Sequence, residues 1–258
     1  MKIIQRCFHL LLLTSVMMQG SSCKKNEQAI LKDPCADIKF CNIKSFTYPG
    51  SSISTPNTAT FTYDAFGNPL TGNNTDVGTG VPNLVFKYDA AYRLSEFQRP
   101  YSNGIFETWT KYFYDASGRI AYDTSYVFGT ITPSWPPINN EQVRRTTYTY
   151  DGTCRIIQTS TVGIGGPEDG FPAQVFNYSY NSNGNLILPG VVYDNKVNIH
   201  RTNKVFMFVD RDFSMNNPFT AATYNGYSLP KSIGAAAGQS LYFLQRHIDN
   251  ATFVYKCD

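Results

Sequence analysis

The sequence predicts a mainly β fold: an antiparallel meander of hairpins forming a curled sheet or an open, barrel-like shell, with one short helix near 201–213. Three observations predict it. Aromatic residues make up 15% of the 258-residue chain and charged residues 16%, a composition that favours strands and turns. An aromatic–any–aromatic triplet running into Asp or Asn recurs five times. Only the stretch 200–213, HRTNKVFMFVDRDF, trades alternation for helical spacing.

In chain order, the first element is an address. Residues 1–22 open with Lys2 and Arg6, continue with an apolar run from Phe8 to Met18, and end in small residues. That is the layout of a secretory signal peptide, and its apolar run is too short to span a bilayer. Gly20-Ser21-Ser22-Cys23 resembles the lipobox of bacterial lipoproteins, although Gly20 stands where Leu is usual. The resemblance implies lipidation of Cys23, the mature N-terminus. No Asp follows Cys23 directly, which by the same resemblance implies the outer membrane, with the leaflet open. Acyl chains contribute about 0.8 kcal/mol per buried CH₂, so they hold a domain at a membrane without a transmembrane helix. Residues 23–34 read as a polar tether ending in Pro34, and 35–258 as a single β-rich domain.

Four cysteines follow the tether: Cys35, Cys41, Cys154 and Cys257. An even number in an exported chain permits two disulfides. Three connectivities are open; the local pair Cys35–Cys41, with Cys154–Cys257, is the preferred one. Free thiols are the alternative.

The repeat supplies most of the strands. Its copies begin Phe61-Thr62-Tyr63-Asp64, Phe86-Lys87-Tyr88-Asp89, Tyr112-Phe113-Tyr114-Asp115, Tyr148-Thr149-Tyr150-Asp151 and Tyr178-Ser179-Tyr180-Asn181. Period-two spacing puts both rings of a copy on one strand face. Asp then opens a turn by accepting local backbone N–H groups. Gly67, Gly118 and Gly184 stand three residues after the Asp or Asn, where a type I turn needs a left-handed residue. Tyr92 and Cys154 occupy that place in the other two copies, so those turns carry strain. Successive second tyrosines are 25, 26, 36 and 30 residues apart, which assigns the variation to loops between hairpins.

This pattern resembles the YD (Rhs-type) repeat, and more closely the uncharacterised YD-repeat-like lipoproteins of Bacteroidota, whose domain has been described as porin-like. The resemblance spans roughly 41–258 and implies an extracytoplasmic β-rich shell. It implies no activity.

Beyond Gly190 the repeat fades, and Tyr193-Asp194-Asn195-Lys196 is a poor sixth copy. Val205, Phe208, Val209 and Phe213 form an apolar stripe at helical spacing, with a buried strand VFMFV as the rival reading. Asn216-Asn217-Pro218 would stop such a helix. Strands are expected near Leu229–Ile233 and Ser240–Gln245, and over Thr252–Tyr255.

The search for chemistry returns little. Removing Lys2 and Arg6 leaves 20 basic and 19 acidic residues, without the basic footprint that nucleic-acid binding needs. No metal, cofactor or catalytic motif is evident: CxxC is missing, and His200 and His247 lack metal-ligand spacing. The first functional reading is therefore a lipid-anchored binding or structural module with a glycan or an envelope protein as partner. Its recognition loops are Pro100–Phe106, Thr130–Glu141 and Gly163–Phe171, with Trp135 as the candidate ligand contact at a rigid tip; a Trp folded back onto the sheet is the alternative. The second is a carbohydrate-active enzyme using Asp210, Asp212 or Glu168, which would require two carboxylates in one cleft.

Mass spectrometry of the membrane fraction is expected to find a mature chain that begins at an acylated Cys23. A chain that begins elsewhere and stays soluble would refute the anchor.

Overall fold

The computed structural model describes residues 35–49, 56–234 and 241–257; Cys23, the signal segment and the tether lie outside them. Every copy of the repeat builds the same local object. In the third, Asp115 Oδ1 accepts the N–H groups of Ser117 (2.8 Å) and Arg119 (2.9 Å), and Gly118 N–H donates to Asp115 O. Gly118 sits at φ 75°, Gly67 at 78° and Gly184 at 77°. Tyr92 and Cys154 adopt the same left-handed conformation at φ 58° and 62°, a cost the other copies avoid with Gly.

These turns join strands in hairpins. The chain runs β1 (Asn42–Tyr48), β2 (Asn57–Tyr63), β3 (Pro69–Asn74), β4 (Leu84–Tyr88), β5 (Leu94–Pro100), β6 (Ile105–Tyr114) and β7 (Ile120–Thr130). It continues through β8 (Gln142–Tyr150), β9 (Ile156–Gly165) and β10 (Gln174–Asn177). After a short helix α1 (Lys204–Val209) come β11 (Ala221–Tyr224), β12 (Pro230–Ile233), β13 (Tyr242–Phe243), β14 (Arg246–His247) and β15 (Thr252–Lys256). Among the described residues, thirteen strands form one open antiparallel sheet in the order β10 through β1, then β15, β12 and β11; β13 and β14 pair separately. Successive hairpins of a meander bring all their tips to one end of the sheet. The variable connections, such as 131–141, lie at the other end.

The second tyrosine of each copy locks its hairpin to the one before. Tyr88, Tyr114, Tyr150 and Tyr180 donate their hydroxyls to the carbonyls of Pro69, Leu94, Ile120 and Ile156, at 2.8, 2.8, 2.8 and 3.2 Å. Tyr63 donates to Ile43 O and Tyr255 to Pro230 O in the same way. Each acceptor lies two residues after a left-handed residue: Cys41, Gly67, Tyr92, Gly118, Cys154 or Ser228. Arginine reinforces three of these joints. Arg93, Arg119 and Arg155 each pair with the Asp of their own turn and lie over the ring of Tyr114, Tyr150 or Tyr180, at 4.1, 5.2 and 4.3 Å.

The rings of the repeat share one buried face. Phe61, Phe86 and Tyr112 belong to the main core cluster, and Tyr63, Tyr88, Tyr114, Tyr148, Tyr150, Tyr178 and Tyr180 pack against it. Helix α1 covers this face: Phe206 meets Phe61, Phe86 and Phe243, and Phe208 meets Tyr112 and Tyr148. Asn203 caps the helix by accepting from Val205 N–H, while its amide donates to Gly67 O in the first turn. The buried side is Phe206, Met207 and Phe208; Val205 and Val209, expected in the apolar stripe, are only half-buried. The helix also stops earlier than expected. Arg211 turns left-handed at φ 56° directly after the C-cap Asp210, well before Pro218.

The local disulfide pairing is corrected. Cys35 bonds Cys154 and Cys41 bonds Cys257, at sequence separations of 119 and 216. Register explains the second bond: Asn42 pairs with Lys256, so the flanking cysteines meet. Cys154 in a turn's glycine position presents its thiol to the incoming Cys35. In the chain-entropy account, loops this long are worth on the order of 5 kcal/mol each.

Tyr114→Phe keeps the ring and removes one hydroxyl, leaving Leu94 O without that donor. It is expected to cost about 1 kcal/mol in equilibrium urea unfolding, whereas the exposed Tyr92→Phe should stay within about 0.5 kcal/mol.

Candidate functional site

The face that is aromatic beneath α1 becomes polar beyond it. Alternate residues of β6 to β10 line a groove of about 310 Å³: Thr108, Thr110 and Tyr112, then Asp123, Ser125 and Val127, then Arg144, Thr146 and Tyr148, then Thr161, then Gln174 and Phe176. Phe97, Phe208, Val209, Arg211 and Gln245 close it on the α1 side. Period-two alternation explains why these side chains converge. The cross-strand pairs Thr110–Ser125 and Thr146–Thr161 join their hydroxyls at 2.8 and 3.0 Å.

Asp123 sits at the floor, 3% exposed. It accepts a hydrogen bond from the Tyr148 hydroxyl and one from Ser125 at 3.1 Å. Burial pushes its carboxyl up to about 6, against the pull of Tyr148, Arg211 and Ser125. The Arg211 guanidinium lies 5.8 Å from the centre of the Tyr148 ring. Its burial disfavours charge, but Tyr148, Tyr178 and Asp123 outweigh that and strengthen its hold on the proton.

The two carboxylates flanking Arg211 face elsewhere. Asp210 takes His200 Nε2 at 2.8 Å and the Leu244 N–H; Asp212 lies 3.4 Å from His200 Nδ1 and accepts from Ser214 N–H at 2.8 Å. Burial opposes a charged His200, yet both carboxylates push it up to about 10, and Asp212 falls to about 2 in return. This buried triad fixes the backbone on both sides of Arg211 and so aims Arg211 into the groove. Glu168 is held by Arg144 through two bonds, of 2.9 and 2.7 Å.

Other expected residues fall into place as turn parts. Tyr63, Asp64, Gly67, Tyr88, Asp89, Tyr114, Asp115, Gly118, Tyr150, Asp151, Tyr180 and Gly184 all serve the turn row at one end of the sheet. A second cavity of about 350 Å³ lies at that end, lined by Tyr88, Tyr114, Tyr150, Arg93 and Arg119 among others. Trp135 is no projecting tip. It folds back edge-on against Trp109 (5.8 Å) and Tyr126 (4.7 Å), on the sheet face opposite the groove. There the rings bury one another, which a solvated tip would forgo.

Sequence reasoning missed two things. One is a sixth turn, Tyr224-Asn225-Gly226-Tyr227-Ser228-Leu229, in which Asn225 accepts from Tyr227 and Leu229 N–H as Asp115 does from its own turn. The Asn directly after Tyr was a signal, but Ser228 at φ 64° hides the glycine position. The other is Asp123, a lone carboxylate within Ala121-Tyr122-Asp123-Thr124-Ser125, on the inward parity of its strand.

No family model and no curated protein matches the chain. Solved structures that overlap it weakly include two Tc toxin assemblies. One is a complex of TcdB2–TccC3 with Cdc42, 16% identical over 52% of this chain and 8% of that chain, TM-score 0.24. The other is the Photorhabdus luminescens Tc holotoxin pore with a mutated TccC3, 14% identical over 70% and 10%, TM-score 0.23. An overlap this low carries no argument about fold or activity.

Asp123→Asn should separate the cost of that buried carboxylate from its geometry. A folded pKa of about 6 lies above the unfolded value of 3.8, so the ionised group destabilises the fold at neutral pH. That penalty is complete above the folded pKa and absent below the unfolded one. Calorimetry is expected to show a higher Tm for Asp123→Asn near pH 7.5, with the gain closing near pH 4. Equal Tm values at neutral pH would contradict the burial account.

Proposed function

We propose that the protein is a lipid-anchored binding module of the cell envelope, which holds its ligand in the groove over β6 to β10. The carrying observation is that the sheet's core face continues past α1 as a groove lined by hydrogen-bonded pairs of hydroxyls around a buried carboxylate. A purely structural face would be expected to close over apolar residues, as it does beneath Phe206. The two disulfides support an oxidising compartment, in keeping with the signal peptide and lipobox read from the sequence. The YD-type repeat supports the Bacteroidota lipoprotein reading, with the outer membrane as its address. Among the groove residues the carboxylate is Asp123 alone, whereas glycoside hydrolysis uses two, and Asp210 and Asp212 are spent on His200. These features support binding over hydrolysis.

Retention of the purified protein on delipidated envelope material tests the reading. Thr108→Trp, which fills the groove, should abolish retention while leaving the melting curve nearly unchanged. Retention equal to wild type, or no retention by the wild type, would refute a groove-based binding role.

A further inference from the structure

We infer that the groove over β6 to β10 is a saccharide site, in which Asp123 and Arg211 take ring hydroxyls and Phe176 offers a stacking face at the rim. This rests on the reading that the groove holds a ligand, and it names the ligand's class.

The first argument is charge. Asp123 and Arg211 balance each other, and Arg144 is already committed to Glu168. The lining therefore carries no surplus of either sign to attract a phosphate or a metal cation. The second is the mix of donors and acceptors. A polyol hydroxyl donates and accepts at once, so its site needs both. Asp123 accepts from Tyr148 and Ser125 and has lone pairs to spare; Arg211 already bonds Tyr178, and a guanidinium's five N–H donors leave it others to offer. Thr108, Thr110, Ser125, Thr146 and Thr161 supply hydroxyls that adapt by rotation. The third is shape. A groove of about 310 Å³ suits a small ligand, and Phe176 on the edge strand is 55% exposed beside it.

The fourth argument is backbone strain. The residue after a helix C-cap that turns left-handed is ordinarily Gly. Here it is Arg211, at φ 56°, fixed between two carboxylates bound to His200. A long cation in a position that favours glycine is explained by where its head lies, at the wall of the groove.

The test uses an array of neutral hexose and N-acetylhexosamine oligosaccharides, with inorganic phosphate and uronic acid oligomers as comparisons. The wild type should bind at least one neutral oligosaccharide. Asp123→Asn and Arg211→Gly should each weaken that binding at least about tenfold, the scale of one lost hydrogen bond to a charged group. Both variants should fold: the first removes a buried charge, and the second relaxes the left-handed turn. Binding of phosphate in preference to every neutral sugar, no binding to the array, or full binding by Asp123→Asn would overturn the inference. Periodate treatment of envelope material separates this inference from the reading beneath it. Retention that survives periodate but not protease sinks the saccharide site and leaves a binding module. Absence of retention on untreated material removes both.

Discussion

The fold hangs on a hydrogen bond from a tyrosine hydroxyl to a backbone carbonyl in the neighbouring hairpin. Neighbouring strands of a meander are joined by ladder bonds, which specify spacing but only weakly specify register. The tyrosine adds a side-chain measure. Its hydroxyl reaches the carbonyl two residues past the left-handed position of the adjacent turn. A slip of one residue would turn the ring to the other face and lose both the bond and its burial. The left-handed residue, the Asx turn and the tyrosine therefore form one unit. The same geometry recurs at β1, where Cys41 is left-handed, and at β15, where Tyr255 reaches Pro230. Both disulfides sit at this end, so the covalent and hydrogen-bonded constraints act on the same row.

A sheet so constrained at one end can carry different chemistry along its face. Under α1 the inward positions are Phe46, Phe61 and Phe86, and the helix supplies Phe206 to meet them. From β6 onward the inward positions become Thr, Ser, Asp and Arg, although the strands remain in register. The change occurs within single strands: Tyr112 belongs to the core cluster and borders the groove, while Thr110 and Thr108, on the same face, carry the groove onward. The buried His200 triad stands at this boundary. It consumes two carboxylates that resemble a catalytic pair in sequence, and their yield is the placement of Arg211.

The meander was legible because its signals are local. Alternating rings, an Asx residue and a glycine at fixed offsets specify a hairpin without knowledge of the rest of the chain, and α1 showed itself as a break in that period. The disulfide pairing was illegible for the opposite reason. Nearness in sequence favoured Cys35–Cys41, but the partners are set by β1 lying beside β15, a contact across almost the whole domain. The same limit explains Trp135. A Trp-Pro-Pro loop reads as a rigid tip until Trp109 and Tyr126 are known to stand beneath it. The groove escaped notice because threonine and serine on a strand look like ordinary solvent-facing positions. Only the register shows them facing the same side as the core.

Tyrosine ionisation tests the dependence on these hydroxyls directly. Burial raises the hydroxyl pKa of Tyr63, Tyr88, Tyr114, Tyr150, Tyr180 and Tyr255. Site-resolved NMR of ¹³Cζ-labelled tyrosine, titrated to about pH 11, passes the ordinary tyrosine value of about 10. These six resonances should keep the shift of the protonated phenol until the chain unfolds, and then change together. Reversible ionisation of these six near pH 10, with the sheet intact, would contradict the claim that their hydroxyls hold the hairpins together.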